Sequence, residues 1–413
     1  MTTPPVLDAL FQALITGDQD ALRDIEIHRA HECVNLRALI STEHAGAVAL
    51  DLGLGLASSV YVTPIFEGPC AFFMSRQVSV QARLTGGQTT VPLDYSLSFD
   101  SNFAEKLRAT LSGEHIQPAD RNWVLEVLML KANNARVQFD VLPFLYENLR
   151  LARSNEENQR PLNTLIAFRM LNHLNWSAFN TDPSRFDFGV SPESLRTHLR
   201  PDAEAFLAEA QTSTSVMHHE AKSLGIQALL LRFATLWHER KPVPQRILSE
   251  LLDFSLSKLG FLPVTELSLI WSGINRKVVA PFFGPITGQS KTMLKDIQGM
   301  AWDMTHLRLM EQTTTLSRFE SFFVPYFISM DERWRNLLRL NPIRLMLIDD
   351  SRKSMLFARA NELDFQLACN ACASTLIQTE RSPEKVAARR AVAKAIDVQS
   401  MRELVAREEH VWL

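Results

Sequence analysis

Apolar positions recur every three or four residues over 6–16, 18–40, 103–112 and 119–132, which predicts amphipathic helices there. Other stretches lack that spacing. Residues 45–66 are apolar without helical period and include Val60-Tyr61-Val62, so strands are expected. Residues 77–84 alternate, the turn Thr85-Gly86-Gly87-Gln88 follows, and 90–99 alternate again, which predicts a hairpin. The run 137–145 reads as short and extended, with Glu147 opening the next helix.

The middle of the chain changes character. Helices are predicted near 161–175, 192–211, 222–240 and 245–259, separated by breaks such as Thr181-Asp182-Pro183 and Lys241-Pro242-Val243-Pro244. Residues 264–284 lead into a loop at Pro281-Phe282-Phe283-Gly284-Pro285. Helix resumes over 292–312, then come a strand to Ser329, a short helix over 331–339 and a strand over 343–348. Residues 352–413 read as entirely helical.

The expected fold class is helix-rich α/β. It comprises a small, mostly parallel sheet flanked by helices, a large helical insertion and a helical C-terminal region. The expected units are 1–92 (helices and strands), 93–150 with 290–350 (the sheet-bearing core), 151–289 (the insertion) and 351–413.

Composition narrows the class. With 413 residues, 46% hydrophobic and 22% charged, the chain can bury a large core. A net charge of −3 supplies no global basic field, so any nucleic-acid contact must be a local patch. Four cysteines are too few and too uneven for a disulfide framework. Cys369-Asn370-Ala371-Cys372 reads as helix cysteines rather than a zinc site. The N-terminal residues lack the basic and long apolar segments of a signal peptide. The longest apolar run, 45–66, contains Asp51. A cytoplasmic protein without membrane contact is expected. Asp51-Leu52-Gly53-Leu54-Gly55-Leu56-Ala57 lacks the context of a dinucleotide loop, and His218-His219-Glu220 reads as a solvated helix face.

The candidate chemistry lies in four carboxylates. Asp100 ends the run Tyr95-Ser96-Leu97-Ser98-Phe99, with Ser101-Asn102 opening a helix. Carboxyl ends of strands are where α/β sheets bind ligands, although an N-cap aspartate needs only the helix. Asp94 is a weaker competitor at the start of the same strand. Glu147 follows Pro143-Phe144-Leu145-Tyr146 and has a first-turn glutamate as its alternative. Asp303 and His306 share a helix face among Trp302, Met304, Leu307 and Leu309, where a carboxylate is costly unless paired or metal-bound. Asp331 closes the apolar run 322–330, with N-capping as its alternative. Oxygen-only donors suit Mg²⁺ or Mn²⁺. Arg333, Arg335, Arg339, Arg344, Arg352 and Lys353 crowd the region after Asp331. There Arg333 and Arg335 are candidates for phosphate contact, against a plain solvating role.

Taken in order, Asp100-Ser101-Asn102, the Pro143 to Glu147 stretch, Asp303-Met304-Thr305-His306 and the strand ending at Asp331 resemble the PIN-domain-like nuclease superfamily. The resemblance covers 93–150 and about 292–350. Glu147 and Asp303 stand 156 positions apart (303 − 147), wider than a compact domain of this kind needs, so it requires 151–289 to be an insertion. It implies that Asp100, Glu147, Asp303 and Asp331 hold Mg²⁺ or Mn²⁺, with Asn102 and His306 supporting. It also implies hydrolysis of RNA or DNA, RNA favoured, in a toxin or antiviral-defence effector. A protein partner or homo-oligomer stays open. The rival readings are a helical regulatory or scaffold protein, and a nuclease-like module without activity that is kept for binding.

Overall fold

The computed structural model describes all residues except 1–4, 44–48, 52–59, 87–92, 155–157, 240–242, 276–280, 314–321, 373–378, 381 and 413. Its strands are β1 (Leu36–Thr42), β2 (Ala49–Asp51), β3 (Val62–Pro64), β4 (Cys70–Met74), β5 (Leu93–Phe99), β6 (Val137–Asp140), β7 (Phe322–Ile328), β8 (Ile343–Asp349) and β9 (Ser354–Arg359). They form two small sheets within a helix-rich α/β fold. The first, ordered β2-β4-β1-β8-β9, is antiparallel throughout. The second, ordered β3-β7-β5-β6, is mixed: β5 runs parallel to both β6 and β7, and β3 is antiparallel to β7.

Two sheets form rather than one, and in the mixed sheet the two pairings of β5 are parallel and that of β3 is antiparallel. Most pairings among the described strands are antiparallel, supplied by the β8–β9 hairpin and by the N-terminal strands. Pairing also crosses the divisions drawn from the sequence. β3 from the N-terminal region joins the sheet of β5 and β7, β8 pairs with β1, and the β8–β9 hairpin spans residue 350. Just beyond β3, Ile343 N donates to the Ile65 carbonyl and Glu67 N to the Ile343 carbonyl, which links the two sheets.

Three local predictions fail for identifiable reasons. Residues 77–84 lie in the helix Arg76–Leu84 rather than in a strand, with the Ser75 hydroxyl capping Val78 N at 3.1 Å. A strand would place Val78 and Val80 on one face, whereas the capped helix buries Val78 and leaves Val80 exposed. The helix predicted over 18–40 stops at His28, and the chain then pairs as β1 between β4 and β8. Along β1, Leu36, Ala38 and Ile40 face the N-terminal helices while Leu39 enters the main core, the two-residue alternation of a strand covered on both faces. The region after 352 opens with strand β9. Its hairpin turn contains no glycine: Asp349 accepts from Ser351 N and Arg352 N at 3.0 and 3.1 Å, and Lys353 takes the left-handed conformation at φ 49°.

Among the described residues of 151–289 there is no strand. Helix Thr214–Glu239 is buried on all sides over much of its length and packs on helices Met293–Thr313 and Val398–Glu409. The helical segment thus shares one continuous core with the β5–β7 sheet. Residues 44–48, 52–59 and 87–92 hold most of the glycine-containing run after Asp51 and part of the expected hairpin turn, and they lie outside the described residues.

Candidate metal centre

β5, β6 and β7 run parallel, so their carboxyl ends share one edge, and each end carries acid: Asp100 after β5, Asp140 ending β6, and Asp331 shortly after β7. The chain leaves β5 toward β6, whereas it leaves β7 for helix Glu332–Leu340 beside β3. Such a divergence opens a crevice between neighbouring strands, the usual ligand position in a sheet of this kind. Helices Leu142–Ser154 and Met293–Thr313 bring Glu147 and Asp303 to the same edge.

Asp100 is buried and caps helix Ser101–Ser112, accepting from Phe103 N at 2.7 Å. Burial pushes its carboxyl up to about 6, against hydrogen bonds from Ser329, Phe103 N and Met330 N, and Glu147 pushes it further the same way. Glu147 lies in the second turn of its helix rather than opening it, and accepts from the Ser101 hydroxyl. Asn148 donates to the Ser101 oxygen at 2.9 Å, so the supporting amide comes from Asn148, while Asn102 is exposed.

Asp303 retains some exposed surface, yet its carboxyl is closely enclosed and held well above the ordinary carboxylate range. Burial is the largest cause, the charges of Glu147, Asp331 and Asp100 add to it, and Arg333 opposes. Asp331 caps helix Glu332–Leu340 through Arg333 N and Trp334 N at 2.8 and 3.2 Å. Asp100 and Asp331 are therefore both N-caps and members of this charge cluster. Among the described residues, no three His, Cys, Asp or Glu side chains stand close enough to share a metal ion. The charges of Glu147, Asp331 and Asp100 reach Asp303, and that of Glu147 also reaches Asp100.

The arginines divide. Arg333 is exposed beside Asp331, at 3.8 Å. Arg335 is buried: it donates to the Ser329 carbonyl at 2.6 Å, and its guanidinium carbon stands 5.2 Å from the centre of the Tyr61 ring. That placement corrects the expectation of phosphate contact through Arg335. Arg335→Ala is expected to cost about 2 kcal/mol in urea denaturation, the scale of a charged hydrogen bond with a cation–π contact. Arg333→Ala should leave stability within about 0.5 kcal/mol.

Two residues escaped the sequence reading. Asp140 accepts from the Ser98 hydroxyl at 2.8 Å and from Leu142 N at 2.9 Å, and burial raises its carboxyl despite these bonds and the nearby His306. The dipeptide Phe-Asp closes both strands, at 99–100 and 139–140, but recurs at 186–187 outside any strand, so it was only a partial signal. His219 is buried, correcting its placement on a solvated face, because Tyr146, Trp302 and His306 pack against its ring. Its ring stacks on His306 at 5.8 Å and lies 4.8 Å from that of Tyr146. His306 is also buried, with Nε2 3.8 Å from Glu147. Among the described residues, neither ring nitrogen of His306 has a hydrogen-bond partner.

Asp100 makes a pH prediction. Its folded value of about 6 lies above the ordinary value of 3.8 for an aspartate. Protonation therefore favours the folded state, and stability falls as pH rises from about 4 to 6, by up to about 3 kcal/mol. Burial holds His219 well below its ordinary value, which gives the opposite slope below about 6.5. Subtraction removes that contribution: in EDTA, Asp100→Asn should gain on wild type between pH 4.5 and 7, and a constant difference would refute the assignment.

Comparison with protein-family models, curated proteins and solved structures finds no match for this chain.

Proposed function

We propose that the chain is a metal-dependent nuclease of PIN-domain-like type, hydrolysing phosphodiester bonds with RNA favoured over DNA. One observation carries the reading: the enclosed Asp303 carboxyl lies in the combined field of Asp100, Glu147 and Asp331 at the carboxyl edge of parallel strands. The donor chemistry fits a hard divalent cation, because all four are carboxylates; burial first, and then neighbouring negative charge, raises Asp303 and Asp100. Asp100, Glu147, Asp303 and Asp331 would hold Mg²⁺ or Mn²⁺. A cation there supplies charge neutralisation at the phosphodiester and activates water.

The chain's own groups do the rest. Ser101 and Asn148 orient Glu147, Ser329 ties Asp100 to the end of β7, and the exposed Arg333 is placed to meet a phosphate. A helical scaffold explains Asp100 and Asp331 as caps, but leaves Asp303 without a reason to be enclosed among like charges. The preference for RNA, and a role as a toxin or antiviral effector, come from the resemblance of the four motifs. The test is an end-labelled single-stranded RNA incubated with Mn²⁺ or EDTA, with melting curves in parallel at pH 7.5. Cleavage and a raised melting temperature are expected with Mn²⁺ alone. Cleavage indifferent to EDTA, with no melting shift, overturns the reading.

A further inference from the structure

β6 is the outer strand of the mixed sheet, and its two faces differ. Asp140 shares the face of its neighbour Ser98, where it accepts from the Ser98 hydroxyl with His306 nearby. Phe139 points the other way, as alternation along a strand requires, and packs on Phe99 at 5.5 Å. On that side a cavity of about 400 Å³ opens, within the roughly 300–1,000 Å³ range of ligand pockets.

Its lining is unusual for a surface groove. Phe139 and Trp176 are both half-buried, with ring centres 6.0 Å apart and planes at 59°. Trp176 is braced edge-on against the buried Phe179 at 5.9 Å. Two cations, Lys131 and Arg169, border the rings, with Asp94 acting on Lys131 from nearby. Arg169 lies over the Phe206 ring, and Lys131 donates to the Ala135 carbonyl at 2.8 Å. Exposed amides of Gln138 and Asn172 complete the rim.

We propose that this cavity binds an unpaired nucleobase of single-stranded nucleic acid, the ring stacking on Trp176 and Phe139 and the adjoining phosphates meeting Lys131 and Arg169. Aromatic faces accept any base, cations follow the backbone, and amides can reach a base edge. A duplex cannot present a base this way without unstacking it. The inference deepens the nuclease reading and rests on it for the substrate, since the cavity and the carboxylates lie on either side of the end of one strand. Neighbouring nucleotides of a single strand can engage both.

The experiment is fluorescence anisotropy with a 5′-labelled rU8, rA8 or dT8, and with a duplex of equal length. It uses the full chain in EDTA and, separately, the Asp303→Asn variant with Mg²⁺, so that nothing is cut. Single strands should bind and the duplex should bind more weakly. Trp176→Ala should weaken single-strand binding by roughly 5- to 150-fold, the worth of one stacked base, and Trp176→Phe should restore most of it. Lys131→Gln should lower the salt slope by about one phosphate. Binding of dT8 equal to that of rU8 identifies a base platform indifferent to sugar, and preference for rU8 identifies RNA; both support the proposal. No single-strand binding, equal binding of duplex, or a Trp176→Phe variant that binds no better than Trp176→Ala overturns it. Binding without cleavage in Mn²⁺ leaves the cavity assignment standing and removes the nuclease reading. Cleavage whose KM ignores Trp176→Ala does the reverse.

Discussion

Asp303→Asn will abolish metal-dependent cleavage and, in the same protein, raise the melting temperature of the metal-free form at neutral pH. The first effect follows from the role proposed for a ligand. A carboxylate that holds a cation in the transition state has no solvent replacement, so Asp303→Asn or Asp303→Ala should cost roughly a thousandfold or more in rate. The second follows from charge. Burial, Glu147, Asp331 and Asp100 all disfavour the ionised Asp303 carboxylate, and asparagine removes that charge at nearly constant shape. The raised carboxyl means that folding favours its protonated form, so the penalty grows as pH rises toward the raised folded value and fades on acidification. Mn²⁺ should accordingly stabilise wild type at pH 7.5 and leave Asp303→Asn almost unmoved. An ordinary surface acid would show neither effect, and an acid needed only for folding would lower the melting temperature. Wild-type cleavage by Asp303→Ala would end the assignment.

Glu311→Ala will cost about 3–5 kcal/mol, the scale for leaving one side of a buried ion pair uncompensated. Glu311 is 1% exposed, on the same helix as Asp303. One oxygen accepts from Arg308 at 2.8 Å, and the other accepts from Arg359 of β9. Arg308 also donates to Thr265 at 2.8 Å and faces Glu266 at 3.5 Å, while Arg359 reaches the Asn341 carbonyl. The cluster therefore ties helix Met293–Thr313 to the antiparallel sheet and to helix Val264–Asn275. Alanine strands Arg359, itself 5% exposed. Glu67→Ala offers the contrast: its partner Arg344 is more than half exposed, and such a surface pair contributes at most about 1 kcal/mol. Urea denaturation of both variants compares them directly. Equal losses would show that the Glu311 cluster does not anchor the helix.

Part of the candidate site was legible because Asp100 and Asp331 mark element ends, whereas Glu147 and Asp303 lie inside helices. A strand-like run ending in Asp followed by Ser is readable from one local window, as are a helix face joining Asp303 to His306 and an apolar strand ending near Asp331. The registers agree: Tyr95 pairs with Val324 and Leu97 with Tyr326, placing the ends of β5 and β7 side by side. What stayed hidden depends on distant neighbours. Arg335 and Arg333 look alike in sequence, and only the fold around Tyr61 and Ser329 buries one and leaves the other exposed. His219 was misjudged because its burial comes from Tyr146 of helix Leu142–Ser154 and from Trp302 and His306 of helix Met293–Thr313.

Local composition by itself determined the helix-rich character, most helix positions in the middle of the chain, and which strands end in carboxylates. These follow from side-chain periodicity and capping, interactions spanning a few residues. Tertiary structure alone decided that β3, from the N-terminal region, closes the mixed sheet and that β1 and β9 are strands in a second one. It also decided that Asp140 belongs to the acidic edge. Strand identity and charge environment arise from partners far away in sequence, since a β ladder is hydrogen-bonded between segments rather than within one, and a carboxyl responds to whatever the fold brings near it.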